Sequence, residues 1–245
     1  MDKFNFSRKL FHLIGFFVPI VMYFDLFKDV LGLAHASRAI LFFIILLNLF
    51  LMGLIEILRL NIQSFNQFYV QNFGALMKEE EKKRMNGVVP YLISNAIIVA
   101  FFPPEVIFLS MAFLLIGDPV AAYFGANYGK FRFYNGKSLV GIVSFVLASI
   151  ICGLILMLIF QNTHGHSLFS LYSKDSFNWF GFWIISIGAL TSGLAEFFSG
   201  HALGGFLEDN LLIPVVGSIT LSAFAVWLGL STWKEIIFKI TEIFL

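Results

Sequence analysis

Seven long apolar runs constrain this chain more than any other feature of its sequence. A helix needs about 20 apolar residues to cross the hydrocarbon core of a bilayer. Runs that approach this length lie at residues 10–27, 37–58, 88–102, 105–124, 139–160, 179–198 and 211–230. Charged residues are 13% of the 245, and a soluble domain carries about 25%. We predict an all-α, polytopic transmembrane bundle of about seven spans, forming one domain over residues 1–245.

Two further segments place apolar residues at helical spacing but are too polar to be spans. Residues 60–77 mix aromatic side chains with Asn and Gln, and residues 233–245 repeat this pattern with Lys and Glu. Such a pattern is typical of an amphipathic helix in the membrane interface. No small-x-small cleavage site follows the first apolar run before Asp25, so we expect a retained first span.

The distribution of Lys and Arg predicts the orientation of the bundle. With seven spans, eleven basic residues lie on the side of the N-terminus and five on the other side. The positive-inside rule then places the N-terminus in the cytoplasm and the C-terminus outside. The host membrane is the inner membrane in a bacterium or an ER-like membrane in a eukaryote, with the polar motifs facing the cytoplasm.

An aspartate followed by proline lies at the end of the fourth apolar run. An Asp in hydrocarbon costs roughly 2.5–3.5 kcal/mol, so Asp118 should face protein, water or a cation. Pro119 predicts a helix break that opens the bundle to Mg²⁺ or a nucleophile. Alternatively, Asp118 only caps a second half-helix. Ala121, Gly125 and Gly129 follow at intervals of four and favour close helix packing, or else a close approach of a ligand.

The loop after this motif is basic and rich in glycine. It is not a P-loop, because six residues separate Gly129 from Gly136 where four are required. Loop amides and side chains at the start of the next helix still form a plausible polyphosphate cradle. The residues of this predicted cradle are Lys130, Arg132, Gly136, Lys137 and Ser138. Alternatively, this is an ordinary basic juxtamembrane loop.

A third cluster of polar residues lies between the last two spans. Glu196 is near the end of one span, and Glu208, Asp209 and Asn210 open the next. Carboxylate and amide oxygens are ligands suited to Mg²⁺. Alternatively, residues 208–210 only cap a helix and complement its positive end.

Weaker signals accompany these motifs. Arg8 and His12 share a helix face, with Lys9 beside them. Glu56 and Arg59 either form an ion pair or bind a ligand. We interpret the charged run 78–84 as a solvated face, His164 and His166 as loop residues, and Cys152 as a packing residue.

These residues, in this order, resemble the CTP-dependent lipid-alcohol kinase family, which includes dolichol kinase, phytol kinase and the yeast diacylglycerol kinase, and is grouped broadly with the cytidylyltransferases. The match runs from about Arg8 to Pro214, and the segment from Asp118 to Gly141 is its specific part. The other matching positions are Arg8, Lys9, His12, Glu56, Arg59, Glu81, Gly87, Glu196, Asp209 and Asn210. The family often has two aspartates before the asparagine, whereas this chain has Glu208 first.

The resemblance implies that CTP donates its γ-phosphate to the hydroxyl of a membrane lipid alcohol in a Mg²⁺-dependent reaction. Spacing alone does not distinguish CTP from ATP, and the acceptor stays open between a polyprenol or dolichol, a phytol-like isoprenoid and diacylglycerol. We predict that Lys137 and Lys130 bind the triphosphate with the loop amides, and that Asp118, with Asp209 or Glu196, binds Mg²⁺. Either Asp118 or Glu196 orients the lipid hydroxyl as a base.

The remaining predicted residues surround this centre. The predicted nucleotide site also includes Arg8, Lys9, His12 and Arg59, and Glu56, Asn210, Gly125 and Gly129 support it. We expect a nucleotide, a lipid alcohol and membrane lipids as partners and no nucleic acid, and a homodimer stays open. The alternatives are a CDP-lipid synthase and a transporter, which also uses broken helices but usually carries paired repeats.

Overall fold

A computed structural model describes residues 13–133, 136–164, 167–173, 176–200 and 206–244. The chain is helical almost throughout these ranges. Its α-helices are α1 Phe17–Phe24, α2 Ala36–Asn61, α3 Gln63–Phe73, α4 Val88–Phe101, α5 Pro104–Ala112, α6 Asp118–Tyr128, α7 Leu139–His164, α8 Trp179–Phe198, α9 Asp209–Trp227 and α10 Trp233–Ile236. A two-residue antiparallel pairing joins β1, Tyr172–Ser173, to β2, Ser176–Phe177. The all-α prediction is confirmed.

The helices follow the predicted apolar runs closely. In the described part of the chain, five helices are long and apolar enough to cross a membrane, namely Ala36–Asn61, Pro104–Tyr128, Leu139–Thr163, Trp179–Phe198 and Asp209–Trp227. Two shorter apolar helices, Leu13–Phe24 and Val88–Phe101, stand where the first and third spans are expected. The chain is therefore a polytopic helical bundle, while the count of seven and the orientation stay predictions.

The predicted helix break at Asp118 is wrong. Asp118 has φ −62° and ψ −48° and continues one helix, because a π-helical turn at Phe113–Gly117 joins α5 to α6. Pro119 lacks an amide hydrogen, and in a regular α-helix its ring would meet the carbonyl of Leu115. The wider π-turn just upstream accommodates the proline without ending the helix. Since the helix extends to Tyr128, Asp118 lies ten residues before its end, about 15 Å deeper along the axis.

The two amphipathic segments have different structures. Residues 63–73 form α3, none of whose residues is buried, so the helix predicted in segment 60–77 is present. The predicted C-terminal helix is wrong as a continuous element. It forms one α-turn, Trp233–Ile236, and a 3-10 turn, Ile240–Phe244, separated by extended backbone at Ile237. The amide of Phe238 donates instead to the carbonyl of Phe101, 2.8 Å away, which ties this segment to the end of α4.

The centre of the bundle is the helix formed by α5, the π-turn and α6. Residues 106–115 are all buried, and α1, α7 and α9 pack around them. Small residues allow this close packing. A Cβ at Gly117 would lie 2.7 Å from Ser149 Oγ and 2.8 Å from the Phe145 ring, both on α7. Gly117 is therefore required for the contact between the π-turn and α7.

We expect Gly117→Ala to destabilise the bundle. The added methyl must displace a buried ring or a hydroxyl, and overpacking of this kind costs about 1–3 kcal/mol. Gly53→Ala is the matched control, since a Cβ there has nothing within 4 Å and Ala is favoured over Gly in a helix by about 1 kcal/mol. Thermal unfolding in detergent should show a lower midpoint for Gly117→Ala only. Equal midpoints would contradict the close packing.

Candidate active site

Most of the predicted site residues that the structure describes gather at one end of the bundle. Here α2, α6 and α8 end and α4, α7 and α9 begin. We call this region the polar end and define it by Glu56, Arg59, Glu81, Lys137, Glu196 and residues 208–210. Arg8, Lys9 and His12 lie outside the described residues, so their predicted role is not tested.

A buried ion pair closes α2 at the polar end. The guanidinium of Arg59 meets the carboxylate of Glu56 with two hydrogen bonds, Nε to Oε1 at 2.9 Å and Nη2 to Oε2 at 2.7 Å. Arg59 is 1% exposed and Glu56 is 3% exposed. Two parallel bonds fix both the distance and the plane of the pair. The sequence left an ion pair and a ligand role open, and the structure contains the ion pair.

The same pair anchors the loop between α3 and α4. Arg59 Nη1 donates to the carbonyl of Lys82 at 3.3 Å, and Glu56 Oε2 accepts the amide of Asn86 at 2.9 Å. Arg59 Nη2 also donates to the carbonyl of Arg84. The charged run 78–84 was predicted to be a solvated face, and this is wrong for its centre, because Glu81 is 4% exposed. Only the outer pairs, such as Lys82 with Glu79, remain exposed.

Gly87 stands where this loop meets the start of α9. The Glu81 carboxylate accepts the amides of Lys78 at 2.7 Å and Gly87 at 3.3 Å. The Asn210 side-chain amide donates to the Gly87 carbonyl at 3.2 Å. A Cβ at Gly87 would lie 2.3 Å from Glu208 Oε1 and 2.6 Å from Asn210 Nδ2, so only glycine fits without displacement.

Glu208 does not cap α9 with its side chain. Glu208 occupies the N-cap position of α9 without a capping hydrogen bond from its side chain, and its Oε1 accepts from Asn210 Nδ2 at 3.0 Å. Lys78 Nζ lies 3.9 Å from Glu208 and 3.6 Å from Asp209. Burial raises the pKa of the Glu208 carboxyl to about 7, the charges of Asp209 and Glu81 add to the rise, and Lys78 opposes it.

Lys137 reaches from the basic loop to the end of α8. Its ammonium group forms an ion pair with Glu196 Oε1 at 2.8 Å and donates to Ser199 Oγ at 2.9 Å and to the Glu196 carbonyl. A cation is favoured here, because the carbonyls at a helix C-terminus carry partial negative charge. The Phe133 ring also packs edge-on against Phe197, with centroids 4.9 Å apart. These contacts hold the loop against α8.

The other loop residues have different surroundings. Arg132 donates to the carbonyls of Gly125 at 2.8 Å and Gly136 at 3.0 Å, so it closes the end of α6. Gly136 has φ +76°, a backbone conformation that favours glycine. Ser138 Oγ accepts the amide of Gly141 at 3.2 Å and caps α7. Lys130 is exposed, in the part of the loop that the structure describes.

The small-residue stripe of α6 packs against the start of α7. A Cβ at Gly129 would lie 2.3 Å from Ser138 Oγ, and one at Gly125 would lie 3.4 Å from Gly141 Cα. The structure therefore contains the packing arrangement that the sequence weighed against a ligand approach. By bringing the two helices together, the stripe fixes both ends of the basic loop.

The carboxylates suit a magnesium ion in kind, although they do not form a closed cage. Glu196 lies within electrostatic range of both Asp118 and Asp209, and Asp118 is buried. Within the described ranges, no group of three or more His, Cys, Asp or Glu residues could hold a metal by itself. Mg²⁺ usually takes one or two carboxylates and completes its shell with water and substrate phosphates. These residues fit an ion that arrives with a nucleotide.

Sequence reasoning assigned no role to four residues of the polar end, namely Lys78, Glu81, Gly87 and Ser199. The available signal was the matched pair of Glu81 and Gly87, which the family resemblance includes. Lys78 was hidden in a run of mixed charge, where a single paired lysine is not distinguishable from its neighbours. Ser199 accepts a hydrogen bond from Lys137 because it follows the last residue of α8, and composition does not reveal which residue ends a helix.

Comparison with known proteins finds fungal relatives that share one name. The chain is 29% identical over 168 residues to CTP-dependent diacylglycerol kinase 1 of Schizosaccharomyces pombe, covering 68% of this chain and 72% of that protein. It is 28% identical over 234 residues to the protein of the same name from Saccharomyces cerevisiae, covering 91% and 74%. The Eremothecium gossypii protein of that name is 28% identical over 181 residues, covering 70% and 56%.

The predicted resemblance to the CTP-dependent lipid-alcohol kinases is confirmed. These three relatives carry the name of the diacylglycerol kinase branch. No protein-family model matches the chain, and no solved structure matches it significantly. The individual roles of the site residues stay predictions.

We expect Glu56→Gln to destabilise the fold strongly. The substitution keeps the size of the side chain but leaves the charge of Arg59 buried without its carboxylate, and breaking a buried pair in this way costs about 3–5 kcal/mol. Glu79→Gln is the control, because its ion pair with Lys82 is largely exposed and is worth at most about 1 kcal/mol. Unfolding in detergent with added denaturant measures both. Similar losses for the two variants would contradict the anchoring role of Glu56.

The raised pKa of Glu208 predicts a pH dependence of stability. Its carboxyl binds a proton more tightly in the folded chain, with a pKa of about 7, than at its ordinary value of 4.5. The stabilisation is therefore complete below pH 4.5 and is lost as the pH rises through 7. We expect Glu208→Gln to lose less stability than the unchanged protein between pH 5 and pH 8.

Melting midpoints in metal-free buffer test this pH dependence. Glu80→Gln, at an exposed carboxylate of the same end, is the control and should follow the unchanged protein. Parallel curves for the unchanged protein and Glu208→Gln would show that Glu208 does not titrate in this range.

Proposed function

We propose that this protein is a CTP-dependent lipid kinase that transfers the γ-phosphate of CTP to the hydroxyl of a membrane lipid alcohol at the polar end. The observation that carries the proposal is the ion pair of Lys137 with Glu196, which joins the basic loop to the carboxylates. The names of the relatives support diacylglycerol as the acceptor to test first. Polyprenols and phytol-like alcohols are the other acceptors to test.

The triphosphate is bound by the basic loop. Lys137 is partly exposed, with 25% of its side chain accessible, so a phosphate can reach the ammonium group without unfolding the loop. Lys130 adds a second cation at the mouth of the site. Glu196 positions Lys137 rather than competing for the phosphate, because it holds the ammonium group at the end of α8. Arg59 has a positioning role, since its donors are used within the protein.

The acceptor hydroxyl is activated from below the phosphates. Its oxygen attacks the γ-phosphorus, the bond to the β,γ-bridging oxygen breaks, and CDP leaves with that oxygen. The hydroxyl proton passes to a carboxylate, and we assign this base to Asp118, which lies deeper in the bundle than Lys137. A base in a positioned, water-poor site contributes about 100- to 10,000-fold to such a reaction.

The fit of the carboxylates to Mg²⁺ supports a metal-dependent reaction. Asp209 and Glu196 would hold the ion at the entrance, where a nucleotide arrives. When bound, Mg²⁺ supplies positive charge that neutralises the phosphates. The remaining catalytic work is alignment, which the network around Gly87 supports by fixing the start of α9.

Labelled nucleotides distinguish the proposed kinase from its alternatives. Purified protein in detergent with Mg²⁺ is given γ-labelled or α-labelled CTP, γ-labelled ATP, and diacylglycerol or an isoprenoid alcohol. We expect γ-label from CTP in the organic phase and no α-label. Transfer of α-label would favour a CDP-lipid synthase, and no transfer by folded protein would favour transport.

Substitutions at the two central residues test their roles in this assay. We expect Asp118→Asn and Lys137→Gln to lower turnover by at least about 100-fold, because each removes a charge that acts mainly in the transition state. The matched controls are Asp29→Asn and Lys28→Gln, both at exposed positions outside the site. Asp118→Asn and the two controls should keep their melting midpoints within a few degrees, whereas Lys137→Gln is assayed at a temperature where it stays folded, because it removes the partner of the buried Glu196. A folded Asp118→Asn protein with full turnover would overturn the assignment of the base.

A further inference from the structure

A second polar site lies at the opposite end of the bundle. A cavity of about 310 Å³ is lined there by the end of α1, the start of α2, the junction of α4 and α5, and the segment after Thr232. Arg38 on α2 lines it, and Arg59 at the polar end lies 21 positions further along the same helix. At 1.5 Å per residue this is about 30 Å, so the cavity is remote from the proposed phosphoryl transfer.

Arg38 forms the floor of this cavity and carries a buried charge. The residue is 6% exposed, and its guanidinium donates to the carbonyls of Phe102 at 3.0 Å and Val99. Its central carbon lies 4.0 Å from the centre of the Phe238 ring. Among the described residues no carboxylate forms an ion pair with Arg38. An ionisable residue inside a spanning segment is rare and usually faces a functional partner.

Two carboxylates lie at the rim of the same cavity. Asp25 follows α1 with φ 47°, and Glu235 lies on α10, and both are exposed, unlike Arg38. The cavity therefore has its positive charge at the buried floor and its negative charges near solvent. A simple anion would be attracted by Arg38 but repelled by the two carboxylates. A simple cation would be attracted by the carboxylates but repelled by Arg38.

We propose that this cavity binds the headgroup of a zwitterionic phospholipid, as in phosphatidylethanolamine. In such a lipid the phosphate lies next to the glycerol and the ammonium group lies further out, towards water. The inner phosphate would then meet the buried Arg38, and the outer ammonium group would meet Asp25 and Glu235 at the rim. Arginine suits phosphate because its planar donors can form paired hydrogen bonds.

The rest of the cavity suits a headgroup at the membrane boundary. Met22, Ile236 and Phe238 supply apolar surface next to the charged groups. The volume of about 310 Å³ lies at the lower end of the 300–1,000 Å³ that is typical of sites for small ligands. The site would couple lipid binding to the C-terminal segment, because Phe238 contacts Arg38 and its amide is bound to Phe101.

Native mass spectrometry on detergent-purified protein tests this proposal. The protein is supplied with phosphatidylethanolamine or phosphatidylglycerol that carry identical acyl chains. The number of lipid molecules bound per protein is counted as the detergent is diluted. We expect one retained phosphatidylethanolamine, bound at least 10-fold more tightly than phosphatidylglycerol. The double variant Asp25→Asn, Glu235→Gln should lose this preference, while Asp29→Asn should keep it. Asp29 is the matched control because it is also an exposed aspartate with positive φ, at 63°, and does not line the cavity.

Further variants and a soluble ligand test the role of Arg38 and distinguish a membrane lipid from a soluble headgroup as the ligand. Arg38→Gln should weaken both lipids, and since Arg38 also holds the end of α4, Arg38→Lys, which keeps the charge, should retain part of the binding. Equal retention of the two lipids by the unchanged protein, or retention of the preference by the double variant, would overturn the proposal. Thermal stabilisation by soluble phosphoethanolamine with none from the lipid would overturn its assignment to a membrane lipid.

Discussion

A guanidinium inside a bundle of apolar helices is stable only when its charge is balanced and its donors have acceptors, and Arg59 meets this condition with groups from three segments. Glu56 on α2 supplies the opposite charge, and Asn66 Oδ1 on α3 and the carbonyls of Lys82 and Arg84 accept the remaining donors. Because those carbonyls belong to the loop before α4, satisfying Arg59 also fixes the loop. The docked loop then brings Glu81 and Gly87 to the start of α9. One buried charge thus organises half of the polar end.

The other half depends on close backbone approach rather than on charge. Glycines on α6 and α7 leave room for Ser138 to cap α7 beside the end of α6, and this fixes both ends of the basic loop. Elsewhere in the bundle, serines join α9 to its neighbours by hydrogen bonds, as Ser110 of α5 does with Ser218 at 2.9 Å and Ser94 of α4 does with the Asn210 carbonyl at 2.9 Å. Between spans, such bonds and small residues supply the contact that the hydrophobic effect does not.

The sequence predicts the helices well, because hydrophobic length is a property of each run by itself. The run 179–198 coincides with α8, and the other runs differ from their helices by a few residues. The π-turn at residues 113–117 was not predictable, since a proline signals only that the helix must adapt, and the neighbours decide whether it breaks. The buried position of Glu81 was likewise hidden, because its partners lie in segments distant along the chain. The residue types of the site were found, but their pairing depends on tertiary packing.

The proposed site residues lie at different depths in the bundle, which separates the side of nucleotide entry from the side of lipid entry in the proposed reaction. Lys137 and Asp209 lie at helix ends, where a water-soluble nucleotide can arrive, whereas Asp118 lies ten residues inside its helix. A transporter would use such a deep carboxylate as a midplane binding site for an ion. In this chain Asp118 is instead within electrostatic range of Glu196, whose partner Lys137 belongs to the basic loop, so the proposed reaction can use the deep and shallow groups together. In the proposed reaction, a lipid hydroxyl that enters sideways from the bilayer meets Asp118 below the phosphates, and the continuous helix through the π-turn keeps that carboxylate in place.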